Sequence, residues 1–385
     1  MVKSFEFATA TRIVFGDGCA KELPAVAKEF GAHLLIVTGK NAGRIQALLD
    51  LLPANGFTTT LFPVAAEPTV GLVQSGAELA RSAECQCVIS IGGGSVIDCG
   101  KAIAALATNP GNAIDYLEVI GKAQPLQFPP LPFIAVPTTA GTGAEVTRNA
   151  VLHSPEHRVK VSLRSALMLP RAALVDPELT RELPPALTAS TGLDALTQLI
   201  EPFVSSRSNP VSDALCREAI PRVIRSLRKA FDNGSDGEAR SEMALGSLCG
   251  GLALANAGLG AVHGFAAPIG GMFEVPHGAV CAALLPEVME KNIALAQAQK
   301  DMTLVRRYND VARLLTGVPT ARAGDGVQWV RNLCLALHIP CLALLGLRRA
   351  DLPEIAEKAA ASSSMKGNPI ELTHEQLVEI LERAF

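Results

Sequence analysis

Apolar and polar positions follow two regimes along this chain. In the first half, short apolar runs of strand length recur: His33–Thr38 (HLLIVT), Cys87–Ile91 (CVISI), Leu131–Thr138 and Ala172–Val175, with the β-branched Thr58–Val64 among them. Apolar runs of this length without alternation are the pattern of strands buried on both faces. Between them, helical spacing predicts Cys19–Phe30, a helix running through Leu52, Val70–Ala83 and Val96–Ala107. Two short strands joined by a turn, Phe5–Ala8 and Arg12–Phe15, and a hairpin over Asn149–Leu163 complete this half. The βαβα order predicts a parallel, Rossmann-like sheet covered by helices on both faces.

Beyond Leu183 the strand signal stops. Helices are expected over Pro185–Val204, Pro210–Phe231, Glu238–Ala257, His277–Leu295, Asp301–Leu315, Gly326–Leu337, Asp351–Ala361 and Thr373–Phe385. The expected organisation is an α/β domain over residues 1–182 followed by an all-helical domain over residues 183–385.

Composition supports large buried cores, with 49% hydrophobic and 18% charged residues in 385. A formal net charge of −3 argues against a general nucleic-acid binder. The nine cysteines are scattered and odd in number, a usage that suits a reducing cytoplasm rather than a disulfide framework. The start of the chain, Met1–Phe7, carries no signal-peptide apolar run. Gly246–Met272 is long enough to span a bilayer, but it is dominated by Gly and Ala and interrupted by Asn256, His263 and Pro268. It reads as buried helices packed through small residues, with no membrane span.

Two loops point to a phosphate ligand. In Ser90–Asp98 (SIGGGSVID) a buried strand ends, glycines remove side chains and a helix begins. Backbone N–H groups at such a helix start suit a pyrophosphate. Pro137–Glu145 (PTTAGTGAE) also follows a buried strand and offers three threonine hydroxyls at the carboxyl end of the sheet, where open α/β folds bind ligands. A third stretch, Ala261–Ala279, holds His263 and His277 in surroundings whose one charge is Glu274. Neutral imidazole is the commonest side-chain ligand for a transition metal. Upstream, Asp194 and Gln198 share one helix face by their four-residue spacing. Two core histidines with satisfied hydrogen bonds are the plain alternative. The sharper expectation is that Asp194, His263 and His277, with Gln198, hold a divalent cation that polarises a substrate oxygen.

Taken together and in order, GGGSVID, PTTAGTGAEVT, TGLDALTQLIE and VHG…PHG resemble the iron-containing (group III) alcohol dehydrogenase family. The resemblance implies the two-domain, dehydroquinate synthase-like architecture, an active site in the cleft between the domains, and hydride transfer between NAD(P)H and a small alcohol, aldehyde or ketone. It places Gly93, Gly94, Ser95, Asp98, Thr138, Thr139, Thr142 and Lys160 at the cofactor, with His263, His277 and Asp194 at the catalytic centre. Fe2+ is the implied metal, Zn2+ the second choice, and a homodimer the implied assembly.

The chain departs from the family pattern at several places. Gln198 stands where the family's set of one Asp and three His has a histidine. A carboxamide oxygen is a harder, neutral ligand and should hold iron or zinc less tightly. Ala267 replaces a histidine thought to assist proton movement. Gly39 stands where NAD-preferring relatives often carry an acidic residue, so Lys40 or Arg44 can face a 2′-phosphate. Arg148, Lys160 and Arg164 around the hairpin raise the prospect of an anionic substrate. Two other readings follow from the same motifs: a metal-independent reductase of an acidic carbonyl compound, like maleylacetate reductases, and a dehydroquinate synthase-like lyase.

Overall fold

The computed structural model describes residues 4–40, 43–181 and 183–385. The domain boundary expected at residue 182 falls outside them. The chain forms two compact units, one made of Ala8–Thr139 and Gly143–Arg181, the other of the helices from Pro185 onward. The second unit also takes in Ala140–Thr142, the middle of the Thr/Gly loop.

In the sheet unit the order is β1 (Ile13–Phe15), α1 (Leu23–Ala27), β2 (His33–Gly39), α2 (Gln46–Ala54), β3 (Thr58–Val64), α3 (Val70–Ser82), β4 (Cys87–Gly92), α4 (Gly94–Thr108) and β5 (Phe133–Pro137). A hairpin of β6 (Asn149–Ser154) and β7 (Val159–Arg164) follows, then β8 (Ala172–Val175). The six-stranded sheet runs β1-β8-β5-β4-β2-β3, and every neighbouring pair is parallel. The apolar runs read from the sequence are its central strands, with β2, β4 and β5 buried along almost their whole length. One apolar cluster covers each face. The strand order reverses between β2 and β4, so Gly39 and Gly92 end at the point where sheets of this kind open a crevice for ligands.

Two N-terminal expectations fail. Phe5–Ala8 is not a strand, and β1 pairs in parallel with β8 instead of forming a hairpin with it. The helix expected over Cys19–Phe30 is a 3-10 turn, Cys19–Glu22, followed by the five-residue α1. Pro24 sits at the start of α1, where its missing N–H costs nothing but fixes where the helix begins.

The helical unit comprises α5 (Pro185–Val204), α6 (Pro210–Asp232), α7 (Gly237–Ala257), α8 (Ala261–Met272), α9 (His277–Ala298), α10 (Met302–Thr316), α11 (Ala323–Ala336), α12 (Leu352–Ala360) and α13 (His374–Arg383) around one apolar core. Helical spacing does not single out α8, because it is apolar and buried on nearly every side. Among the described residues no single helix is long and apolar enough to cross a membrane; α7 and α8 pass that test only as a pair bent by 99°.

Small residues set how closely these helices approach. A Cβ on Gly278, in the first turn of α9, would lie 2.2 Å from the Ser190 carbonyl oxygen of α5. Gly278→Ala must therefore push α9 off α5. Overpacking of this kind costs roughly 1–3 kcal/mol, so the urea midpoint should fall with an unchanged slope; an unshifted midpoint would show that the contact is not tight.

Candidate active site

Helix α5 is buried from Thr188 to Val204 except at Thr191, yet Asp194, Gln198 and Glu201 form one polar stripe along it. Their spacing of four and then three residues puts all three on the same face. Helix α8 brings His263 to that stripe, and α9 begins with His277 and places Cys281 one turn later. One ligand atom each from Asp194, His263, His277 and Cys281 lies within 4.8 Å of all the others. His263 Nε2 is 3.3 Å and His277 Nε2 3.7 Å from Asp194 Oδ1, and Cys281 Sγ is 3.6 Å from His277 Nε2.

Glu201, not singled out from the sequence, fixes the orientation of His263. One of its oxygens accepts the Val262 N–H at 2.7 Å, and the other lies 2.6 Å from His263 Nδ1. That bond places the ring proton on Nδ1 and leaves the Nε2 lone pair for a metal, the usual outer support of a metal-bound histidine. Gln198 does the same for the carboxylate: its Nε2 donates to Asp194 Oδ2 at 3.1 Å, which leaves Oδ1 facing the histidines.

The residues fit a cation. Asp194 Oδ1, His263 Nε2 and Gln198 Oε1 are buried without a hydrogen-bond partner. Buried polar atoms are rarely left so. Charge points the same way. Burial alone would keep His263 neutral, but the Cys281 sulfur and the Asp194 and Glu201 carboxylates outweigh it and raise its pKa. Burial would likewise raise the pKa of Asp194, and the neighbouring His277 and His263 reverse that and lower it. The pocket thus attracts positive charge. His277, with a third of its side chain exposed against 2% for Asp194 and 6% for His263, lies on the open side.

The sheet unit holds most of the expected cofactor residues. Gly92 and Pro137 are register partners at the ends of β4 and β5, so the two loops leave the sheet side by side. The Thr138 N–H donates to the Gly92 carbonyl at 3.0 Å, and a Cβ on Gly93 would lie 3.4 Å from the Thr139 methyl. Helix α4 begins at Gly94 with no side chain capping its N-terminus, which leaves its first turn without a side-chain partner. Gly39 ends β2 next to this loop, and Lys40 beyond it is exposed.

Other expected residues have partners within the protein. Asp98 Oδ2 accepts the Val151 N–H at 3.0 Å. Lys160 pairs with Glu67 at 3.2 Å and Arg164 with Glu118 at 3.0 Å, while Arg44 donates to the Arg181 carbonyl. Thr142 belongs to the helical unit. Lys101, missed in the sequence, is almost wholly buried and donates to the Ala144 carbonyl, the Thr147 hydroxyl and the Asn149 carbonyl at 2.7–2.9 Å. It anchors the exit of the second loop to α4. Burial pushes its pKa down to about 8, against the pull of Asp98 and Glu145. Its signal was a lone charge in the apolar run CGKAIAALA.

Comparison with known proteins agrees with this geometry. The model of the family described as iron-containing alcohol dehydrogenase matches residues 10–177, and that of its C-terminal region matches residues 188–385. Alcohol dehydrogenase 4 of Schizosaccharomyces pombe is 37% identical over 377 residues, covering 96% of this chain and 87% of its own. Lactaldehyde reductase of Escherichia coli is 35% identical over 385 residues, covering 96% and 97%. A crystal structure of 1,3-propanediol oxidoreductase superposes with a TM-score of 0.91 at 34% identity, covering all of both chains.

Glu201→Gln removes the charge that polarises His263 and leaves the fold's apolar contacts in place. Losing such an outer partner typically weakens a metal site by about 10–100-fold. Chelator competition should show this drop with the thermal midpoint nearly unchanged; wild-type metal affinity in the variant would remove Glu201 from the site.

Proposed function

The chain belongs to the iron-containing alcohol dehydrogenase family, which works with NAD(P) and a divalent metal, and on that premise we propose how its own residues share the work. The protein is an NAD(P)-dependent oxidoreductase that interconverts small alcohols with their aldehydes or ketones. When bound, the nicotinamide supplies the hydride and the cation the Lewis acidity that stabilises the developing alkoxide.

Asp194 Oδ1, His263 Nε2 and His277 Nε2 hold the cation in this reading. The observation that carries it is that three helices bring these atoms together while two of them are buried with no other partner. Glu201 keeps the proton on His263 Nδ1, and Gln198 holds the second Asp194 oxygen away from the site. His277 lies where substrate enters. Ala267 cannot relay a proton, so solvent or a cofactor hydroxyl delivers it to the product oxygen.

Gly93, Gly94, Ser95, Thr138 and Thr139 bind the dinucleotide phosphates through backbone N–H groups and hydroxyls. Asp98 acts behind them by fixing the hairpin to α4. Gly39 presents no carboxylate to repel a 2′-phosphate, and exposed Lys40 can pair with one, so NADPH is accepted. Of the three cations considered for an anionic substrate, Lys160 and Arg164 are committed to carboxylates, which favours a neutral one. The relatives lend no support to the maleylacetate reductase-like or lyase alternatives. We read the assembly as a homodimer on family resemblance, and the compartment as cytoplasmic from nine unpaired cysteines.

Asp194→Asn should lower turnover of a small neutral aldehyde with NAD(P)H by roughly 100-fold or more, since the lost polarisation is worth several kcal/mol and each 1.4 kcal/mol is tenfold. Metal-stripped wild type should behave alike and recover on adding metal. Full activity without metal would end this reading. Lys40→Ala should raise KM for NADPH and leave KM for NADH unchanged; equal effects on both would assign Lys40 to solvent.

A further inference from the structure

We infer that Cys281 Sγ, and not Gln198, is the fourth metal ligand, so that this site is an Asp-His-His-Cys centre. The inference rests on the reading of Asp194, His263 and His277 as cation ligands and extends it to the remaining position.

Distances make the first argument. With metal–N or metal–O bonds of about 2.0–2.2 Å and a metal–S bond of about 2.3 Å, the edges of a tetrahedral donor set are about 3.3–3.7 Å. Three of the six edges are 3.3 Å from Asp194 to His263, 3.7 Å from Asp194 to His277 and 3.6 Å from His277 to Cys281, and the other three are no longer than 4.8 Å. The sulfur completes this set from a fully buried position.

Position makes the second. His277 and Cys281 stand one turn apart on α9, with side chains on the same face, and α9 is locked against α5 through Gly278. The position of the sulfur is therefore set by backbone packing and not by a flexible arm.

Chemistry makes the third. Gln198 spends its amide N–H on Asp194 Oδ2, a task that orients the carboxylate. Its remaining oxygen, buried without a hydrogen-bond partner, is neutral and hard, whereas a thiolate is charged and soft. On binding, the Cys281 thiol gives its proton to solvent, and the two anionic ligands balance the charge of the ion.

The test uses the full-length protein stripped of metal and loaded with one equivalent of Co2+ or Zn2+. Wild type should show a thiolate-to-cobalt charge-transfer band and, for zinc, one sulfur neighbour at about 2.3 Å by X-ray absorption. Cys281→Ser should lose both signals and bind zinc at least roughly tenfold more weakly, no less than the loss of an outer partner costs. Gln198→Ala should keep the band. A bound ion in wild type with no sulfur neighbour overturns the inference and leaves the reading with Asp194, His263 and His277 intact. Failure of wild type to take up any ion at the stoichiometric level overturns both. Should Cys281→Ser not fold, the wild-type spectra decide the matter alone.

Discussion

A carboxylate pair sealed in a helical core constrains everything near it. Asp194 and Glu201 are each almost entirely buried on α5, and the Cys281 sulfur is buried beside them. Uncompensated charge in such a place costs several kcal/mol per group, and it persists only where positive charge or hydrogen bonds answer it. Here Glu201 is answered by the Val262 N–H and His263 Nδ1, whereas Asp194 Oδ1 faces His263, His277 and Cys281 with no hydrogen-bond partner. The carboxylate most in need of a counter-charge is thus the one aimed at the histidines. Glycines make the arrangement possible: Cβ atoms at Gly260 and Gly278 would collide with Glu201 and with the backbone of α5. The Gly/Ala richness that imitates a membrane segment is the consequence of packing α8 and α9 this closely onto α5.

The sheet unit solves the opposite electrostatic problem. In the reading proposed above its ligand is an anion, met by backbone N–H at the start of α4 and the hydroxyls of Thr138 and Thr139. The buried Lys101 behind them gives its N–H groups to three oxygens of the protein. It ties the loop's exit to α4. Fixed dipoles at a helix start bind phosphate without the desolvation cost that a buried lysine would carry.

Much of this could be read from the chain because the relevant signals are local. A strand buried on both faces is a short apolar run, and glycines after it mark where the next helix begins; β2, β4 and β5 and the start of α4 were visible for that reason. Asp194, His263 and His277 stood out as polar residues in apolar company. What stayed hidden depends on neighbours that are distant in sequence. Glu201 resembled an ordinary helix-surface glutamate until α8 was laid across it, although its seven-residue step from Asp194 marked the same face. Cys281 was one of nine scattered thiols, and only its four-residue step from His277 set it apart. The N-terminal failures have a similar cause: β1 is three residues long and owes its strand geometry to β8, some 160 residues later, not to its own pattern.

The glutamine at 198 then looks less like a damaged ligand than a reassigned one. Both histidines face one oxygen of Asp194. The amide takes the other oxygen, at 3.1 Å, and so decides which lone pairs face inward. A side chain that orients a carboxylate from behind need not itself touch an ion, and its substitution is tolerable wherever another donor reaches the vacated corner. Cys281, at 3.6 Å from His277 and within the same small volume as Asp194 Oδ1, is the donor placed to do so. Two residues on different helices, α5 and α9, are therefore coupled: the amide on one is compatible with a metal centre because of the sulfur on the other, and Gly278 keeps those helices close enough for the exchange to work.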